Sequence, residues 1–328
     1  MRWKFVNLAS GGDIQIVTTE SERDRFMRYC NRERIRCGLI RVDETGVAVE
    51  HPAIVEPCRY LQRHGVDVTV VGVDTDGLVD PDDIAAALRP ETVLVSVMHA
   101  NNEVGTIQPI AEIARVTREA GVLLHSDAAQ SVGKIRTRVD DLGVDLLSVA
   151  AHKFYGPKGV GALYVREGTD LAPLMHGAGH ESGRRAGTEN VLLDVALGAA
   201  AELAGDLAWT HGVGDLRDWL WLQLRDRWGE RVVLNGHPTE RLPNTLNASF
   251  LGRDGREILA AMPDVAASTG SACHSGGTEP SPVLAAMGVP RDVGAGAIRL
   301  SLGRMTTREE LEALVMRLTE VLSGGGGS

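Results

Sequence analysis

The chain of 328 residues carries 34 Lys and Arg against 44 Asp and Glu, a formal net charge of −10, which speaks against nucleic acid as its main partner. A hydrophobic content of 43% and a charged content of 24% are those of an ordinary globular protein, and the length suits one large or two medium domains. No apolar run approaches the roughly 18 residues a membrane span needs, so no membrane association is expected.

The opening "MRWKFVNLASGGD" has no apolar run of the kind a secretory signal requires. Cys30, Cys37, Cys58 and Cys273 form no CxxC and no Cys/His zinc spacing. Reduced thiols, no metal and a cytoplasmic location are the expectation.

Residues 1–49 are irregular, apart from the charge-rich "SERDRFMRYCNRERIRCG", which reads as a helix. From residue 50 to 205 the pattern alternates. "VDVTVVGV" (66–73), "TVLVSVM" (92–98), "VLLHSD" (122–127), "VDLLSVAAHK" (144–153) and "GVGALYVRE" (159–167) are strands rich in β-branched residues. "IQPIAEIARVTREAG" (107–121) has helical apolar spacing and ends on glycine. Such alternation predicts an α/β fold with a mainly parallel sheet, whose ligands lie beyond the carboxyl ends of the strands. Residues 189–209 and 213–229 read as two helices leading into a smaller α+β part over 206–322. That part holds "LPNTLNASFL" (strand), "GREILAAMP" (helix), the loop "STGSACHSGGTEPS" and "AIRLSLGR" (strand). It closes on the helix "TTREELEALVMRLTEVL", capped by Thr306 or Thr307. The tail over 323–328, "SGGGGS", reads as a flexible linker outside the fold.

Lysine is scarce: Lys4, Lys134, Lys153 and Lys158 are the whole supply. Lys153 follows a histidine at the end of a strand and precedes Gly-Pro by two residues, a setting suited to a Schiff base. "HSDAAQ" offers a carboxylate and an amide at another strand end, and "MHANNEVG" adds a further amide. A carbonyl cofactor with a pyridine ring needs an amine to anchor it, a carboxylate for its ring nitrogen and donors for its ring oxygen.

In these segments, and in "EHPAIVEP", "GHESGRRAGTEN", "RLPNTLNASF", "GSACHSGGTEPSPVLAAMG" and "IRLSLGR", the chain resembles the cysteine desulfurases of the NifS/IscS type. These are class V aminotransferases of the pyridoxal-phosphate (PLP) fold type I. The likeness runs over about residues 50–322. It implies that Lys153 anchors PLP, Asp127 contacts the pyridine nitrogen, Gln130 donates to the ring hydroxyl and His51 stacks on the ring. Asn102 would lie near the ring oxygen and substrate, and His152 would bind the phosphate. Thr188 would reach the phosphate of a second subunit, which implies a homodimer. Arg304 would clamp the substrate carboxylate, for which a bidentate fork is suited. Cys273 would attack the sulfur of L-cysteine and carry it as a persulfide to an acceptor, such as an iron–sulfur scaffold, while L-alanine leaves.

Two features depart from the family pattern. The family carries a longer stretch before the His51 motif, including a glycine-rich phosphate loop. Here "ASGGD" (9–13) echoes the glycines, but Asp13 stands where a hydroxyl belongs, and a carboxylate beside a phosphate is unfavourable. Ala150 replaces a phosphate-binding serine common in desulfurases. Selenocysteine lyases also lack that serine and share the "ACHS" context, so selenocysteine is an alternative substrate. A third reading is a catalytically impaired homologue acting as a scaffold subunit.

Overall fold

A computed structural model describes residues 38–40, 49–269 and 281–324. The helix expected within 21–38, the "ASGGD" loop and Cys273 lie outside the described residues.

The site is built on a four-stranded sheet of β3 (Leu94–Ser96), β4 (Leu123–Asp127), β5 (Leu146–Ala150) and β6 (Gly161–Val165), adjacent in that order. The first three run parallel and β6 closes the edge antiparallel, so the sheet is mixed, with a parallel core. β1 (Gly38–Ile40) and β2 (Asp67–Thr69) form a separate parallel pair. The strand expected over 66–73 is thus reduced to three residues. α1 (Pro52–Gln62), α2 (Pro81–Ala87), α3 (Ile110–Glu119) and the single turn α4 (Val139–Leu142) connect these strands.

α3 buries Ile110, Ile113, Ala114 and Thr117 on one face. There Ile110, Ile113 and Ala114 join Val95 and Leu124 of the sheet, with Val97 and Val144, in one core, as helical spacing dictates. The helix ends where Gly121 takes φ +69°, a left-handed conformation that costs glycine nothing.

β5 stops at Ala150, three residues earlier than the expected strand, and a 3₁₀ turn over Ala151–Lys153 follows. Ala151 N–H donates to Val160 O at 3.2 Å, and Gly156 N–H to Ala151 O at 2.9 Å. The chain therefore curls back toward β6 and leaves Lys153 beyond the strand end.

α5 (Val191–Ala204) and α6 (Ala208–Trp228) break at Gly205–Leu207 rather than after Trp209, with Asp206 Oδ1 accepting from Ala208 N–H at 2.9 Å where the second helix begins. An antiparallel sheet of β7 (Val232–Asn235), β8 (Thr245–Phe250) and β9 (Ala297–Ser301) has β8 at its centre. α7 (Gly255–Ala260), α8 (Pro282–Ala286), α9 (Arg291–Ala295) and α10 (Arg308–Gly324) complete the described residues. Leu220, Leu224, Leu246, Phe250, Ile298 and Leu318 anchor the core of this sheet. Thr307 opens α10 reciprocally: its N–H donates to Glu310 Oε2 at 2.9 Å, and its Oγ1 accepts from Glu310 N–H at 3.3 Å.

Candidate active site

Asp127 is the last residue of β4, and Lys153 ends the turn that follows β5. The two strands are neighbours, with Asp127 in register with Ser148, so two chemically different side chains arrive at one edge of the sheet. The Asp127 backbone carbonyl accepts from His99 N–H at 2.9 Å, and its Oδ1 accepts from Ala129 N–H at 2.8 Å. Burial raises the Asp127 carboxyl above the usual range, opposed by the Ala129 N–H and by the charges of His51 and Lys153.

His51 is the N-cap of α1, with Nδ1 accepting from Ala53 N–H at 3.1 Å. That bond places the proton of the neutral ring on Nε2. Burial lowers the His51 pKa, Asp127 raises it and Lys153 lowers it further. His51, Asp127 and Lys153 are therefore mutually within electrostatic reach. Gln130, half-buried, lies in the turn three residues after Asp127. His152 is exposed beside Lys153, its pKa lowered by partial burial and then by Lys153 and Lys158.

Asn102 occupies the turn after β3, half-buried, with its carbonyl accepting from Arg299 Nη1 at 2.7 Å. Its neighbour Asn101 is spent on the turn itself: Oδ1 accepts from Glu103 N–H at 2.7 Å and Val104 N–H at 2.9 Å, and Nδ2 donates to Val49 O at 2.8 Å. Thr188 is exposed and does not cap α5; that position belongs to Asn190, whose Oδ1 accepts from Leu193 N–H at 3.3 Å.

Arg304 lies against the loop after Lys153 rather than among the charged groups. Its N–H donates to the Tyr155 hydroxyl at 3.0 Å and its Nη2 donates to Leu203 O at 2.9 Å. Its guanidinium lies 5.6 Å from the Tyr155 ring centre and 5.2 Å from that of Trp209. Tyr155 itself has φ 68°, a strained conformation for a bulky residue, of the kind found at functional sites.

Three features escape a reading of the sequence alone. Arg299, on β9, holds Asn102 O with one nitrogen while its Nε has no partner. Glu103 accepts from Ser281 Oγ at 2.5 Å, and burial raises its carboxyl to about 7. Glu50 precedes His51; its Oε1 accepts from Met98 N–H at 2.6 Å, while its Oε2 is buried without a partner. Burial, with a contribution from Asp127, raises Glu50 to about 8, so at neutral pH it is largely protonated. The signal for Glu50 was its place in "EHP"; Arg299 and Glu103 became visible only through contacts distant in the chain.

Glu50 sets a pH dependence of stability. Its folded pKa is raised from 4.5 to about 8, so its favourable contribution is present below the unfolded value and is lost as pH rises toward 8. Glu50→Gln is expected to be more stable than the wild type at pH 8.5 by about 1 kcal/mol or more, with the gap closing toward pH 5, as read by urea unfolding. A gap that does not change with pH would refute this.

Two buried histidines and the one described free cysteine are structural. His125 is held between Ser96 Oγ and Ser148 Oγ, each at 2.8 Å, and burial lowers it to about 4. Burial also lowers His99 to about 4. The Cys58 thiol is pushed up to about 11, first by burial and then by Glu50, so it forms little thiolate at neutral pH.

The donor set fits PLP at its ring end. A strand-end carboxylate keeps one oxygen, Oδ2, outside the Ala129 bond, a lysine lies on the adjacent strand's end, and a neutral imidazole is within reach of both. This is the chemistry a pyridinium aldehyde needs.

Comparisons with known proteins converge on the same chemistry. The family described as Aminotransferase class-V matches residues 45–314. "Cysteine desulfurase IscS" of Dictyoglomus turgidum (strain DSM 6724 / Z-1310) is 49% identical over 268 residues, which is 80% of this chain and 68% of the relative. "Cysteine desulfurase IscS" of Methanosarcina thermophila is 44% identical over 283 residues, 84% of this chain and 69% of the relative. Among solved structures, "NIFS-LIKE PROTEIN" superposes with a TM-score of 0.80 at 34% identity, covering 92% of this chain and 79% of that one. "SspA in complex with cysteine" superposes with a TM-score of 0.71 at 32% identity, covering 88% and 80%. With a lysine and a carboxylate on adjacent strand ends and relatives of this identity over most of its length, the chain belongs to the class V aminotransferase family, among the cysteine desulfurases.

Proposed function

We propose that this protein is a PLP-dependent cysteine desulfurase that takes sulfur from L-cysteine, releases L-alanine and passes the sulfur as a persulfide on Cys273 to an acceptor protein. The observation that carries the reading is the convergence of Asp127 and Lys153 on adjacent strand ends, with His51 coupled to both charges. PLP, when bound, supplies a sink for the electrons released at Cα of the amino acid. Asp127 and Gln130 would hold its ring edge, His51 its ring face, Lys153 its aldehyde end, and His152 and Thr188 its phosphate.

The protein's own groups then divide the work. The Lys153 amine accepts the substrate α-proton, a role that needs its neutral form. The Cys273 thiolate attacks the substrate sulfur: an S–S bond forms, the Cβ–S bond breaks, and the electron pair of that bond stays with the fragment that becomes alanine. An acceptor thiolate, on a protein such as an iron–sulfur scaffold, then takes the outer sulfur and leaves Cys273 reduced. Such thiol chemistry suits the cytoplasm, where thiols are kept reduced.

The substrate carboxylate is assigned to Arg299 rather than to Arg304. Both guanidinium groups keep a buried Nε without a partner, but Arg299 touches the Asn102 turn, whereas Arg304 packs against two rings and donates to the Leu203 carbonyl. Arg304 then serves as the support of Tyr155 and the loop after Lys153. The test is alanine and persulfide formation by the PLP-supplemented protein, on L-cysteine and L-selenocysteine in parallel. Turnover of cysteine is expected. Arg299→Lys should raise KM for cysteine about 10- to 100-fold, as expected for a lost charge-assisted bidentate bond, with a smaller effect from Arg304→Lys. Turnover of selenocysteine alone would change the substrate. No turnover and no PLP uptake would leave the scaffold reading.

The active unit is a homodimer formed through α5. Ala200 and Ala204 of this helix pack on Ala151 and Phe154 beside Lys153. Its outer face leaves Val191 67%, Leu192 81%, Val195 67% and Leu203 63% exposed, an apolar patch of the kind that marks an interface. Thr188 lies exposed just before it and would serve a neighbouring subunit. Leu192→Glu with Val195→Glu should convert a dimer to a monomer in sedimentation; an unchanged mass would refute this interface.

A further inference from the structure

We infer that Lys134 is a positioning residue for the cofactor pocket, its ammonium tying the Gln130 turn to the Lys153 turn. The inference rests on the PLP reading above and extends it to a residue that contacts neither cofactor nor substrate.

Lys134 is 8% exposed. Its Nζ donates to Gln130 O at 2.9 Å and to Lys153 O at 3.1 Å. These two carbonyls belong to turns that follow adjacent strands, β4 and β5, and they are the carbonyls of the residues placed at the ring hydroxyl and the aldehyde of PLP. Neither accepts one of the backbone bonds that build its own turn: Ser131 and Val132 N–H go to Ala128 O, Lys134 and Ile135 N–H to Ser131 O, and Phe154 and Gly156 N–H to Ala151 O. One ammonium with three donors therefore serves two acceptors left by the chain's path.

The packing around it is equally close. Gly133 has φ +73°, and a Cβ built there would meet the Ala204 Cβ at 3.0 Å and the Phe154 Cβ at 3.3 Å. The turn of Gln130 thus lies directly against the residue after Lys153, and the lysine beside that glycine fixes the spacing by hydrogen bonds. The amine has no carboxylate partner among the described residues. Burial, helped by repulsion from Lys153, lowers it to about 8. A buried lysine without a counter-charge is an expensive way to fill space, since an apolar side chain would fill it without a desolvation cost. Its use here follows from the two carbonyls it holds.

The test separates positioning from simple buttressing. PLP dissociation constants and thermal unfolding, with and without PLP, are measured for the wild type, Lys134→Met, Lys134→Gln and Lys134→Arg. Lys134→Met should weaken PLP binding about tenfold or more and shrink the rise in Tm that PLP confers, as linkage requires. Lys134→Gln, the milder variant should Met fold poorly, should also weaken binding. Lys134→Arg, which keeps the charge and donors, should bind more tightly than either. A buttress would instead lower Tm equally in the apo and loaded states, leaving the PLP dissociation constant at the wild-type value; that result overturns the inference while the cofactor reading stands. A wild-type protein that takes up no PLP overturns both.

Discussion

Lys153→Ala is expected to abolish the near-visible absorbance of the PLP-loaded protein and to lower alanine release from L-cysteine by ~10³-fold or more, because one change removes both the anchor and the base. The selection of Lys153 follows from geometry and not from scarcity alone. Lys134 is buried with its Nζ committed to two carbonyls. Lys153 and Lys158 are both exposed, but Lys158 lies in the loop before β6 and not in the turn directly after β5, so Lys158→Ala should retain the band and most of the rate. Lys153 alone of the three follows β5 directly, next to the strand that ends in Asp127. Survival of the lysine-dependent band in Lys153→Ala, with its loss in Lys134→Met or Lys158→Ala, would move the anchor elsewhere and undo the assignment.

The strand ends that build the site were legible because they are short-range properties. "VLLHSD" and "VDLLSVA" are β-branched or apolar runs that end in a polar residue or a turn, and both strands form where that pattern places them. The sequence pattern carries the strand on through the three residues after Ala150. They curl into a 3₁₀ turn because Ala151 bonds to Val160, a contact with the returning strand. α1 escaped notice because its N-cap is His51, a residue with weak capping preference, although Pro52 at the first helical position was available as a signal. α2 carried a readable start in Asp80-Pro81-Asp82-Asp83, with Asp80 Oδ1 accepting from Asp82 N–H at 2.8 Å. The antiparallel edge strand β6 followed a connection short enough to forbid a crossover, so its direction could have been read from length alone.

The site divides the same way. Motifs single out Lys153, Asp127 and His51, and the three lie within mutual electrostatic reach. Arg299 and Glu103 were missed because their partners are distant in sequence: Asn102 for the first and Ser281 for the second. No periodicity reports a contact between a turn and a residue so far along the chain. Arg304 carries the more conspicuous motif context, yet its aromatic neighbours, Tyr155 and Trp209, come from a loop and a helix start that sequence reading does not bring together.

Asp127→Asn separates chemistry from stability, and the direction of each effect follows from the same burial. The carboxyl of Asp127 is raised by desolvation. A raised folded pKa means that ionised Asp127 opposes folding: its favourable contribution exists below the ordinary carboxylate value and is lost as pH rises through the folded one. Asparagine keeps an oxygen able to accept from Ala129 N–H, as Asp127 Oδ1 does at 2.8 Å, and removes the buried charge. The variant should therefore unfold at the same or a higher denaturant concentration than the wild type at pH 8. Catalysis should move the other way. On the proposed role, the variant loses the carboxylate that would keep a pyridine nitrogen protonated, which would weaken the electron sink. A fall in kcat of about 10²- to 10⁴-fold is expected, the range of a lost preorganised charge or proton-holding group, with KM for cysteine changed much less. If Asp127→Asn instead loses stability and retains kcat per folded molecule, then Asp127 is a strand-end cap and no more. A stable, folded and nearly inactive variant would identify Asp127 as a charge held in a buried place, at a cost in stability, for what it does to the ring.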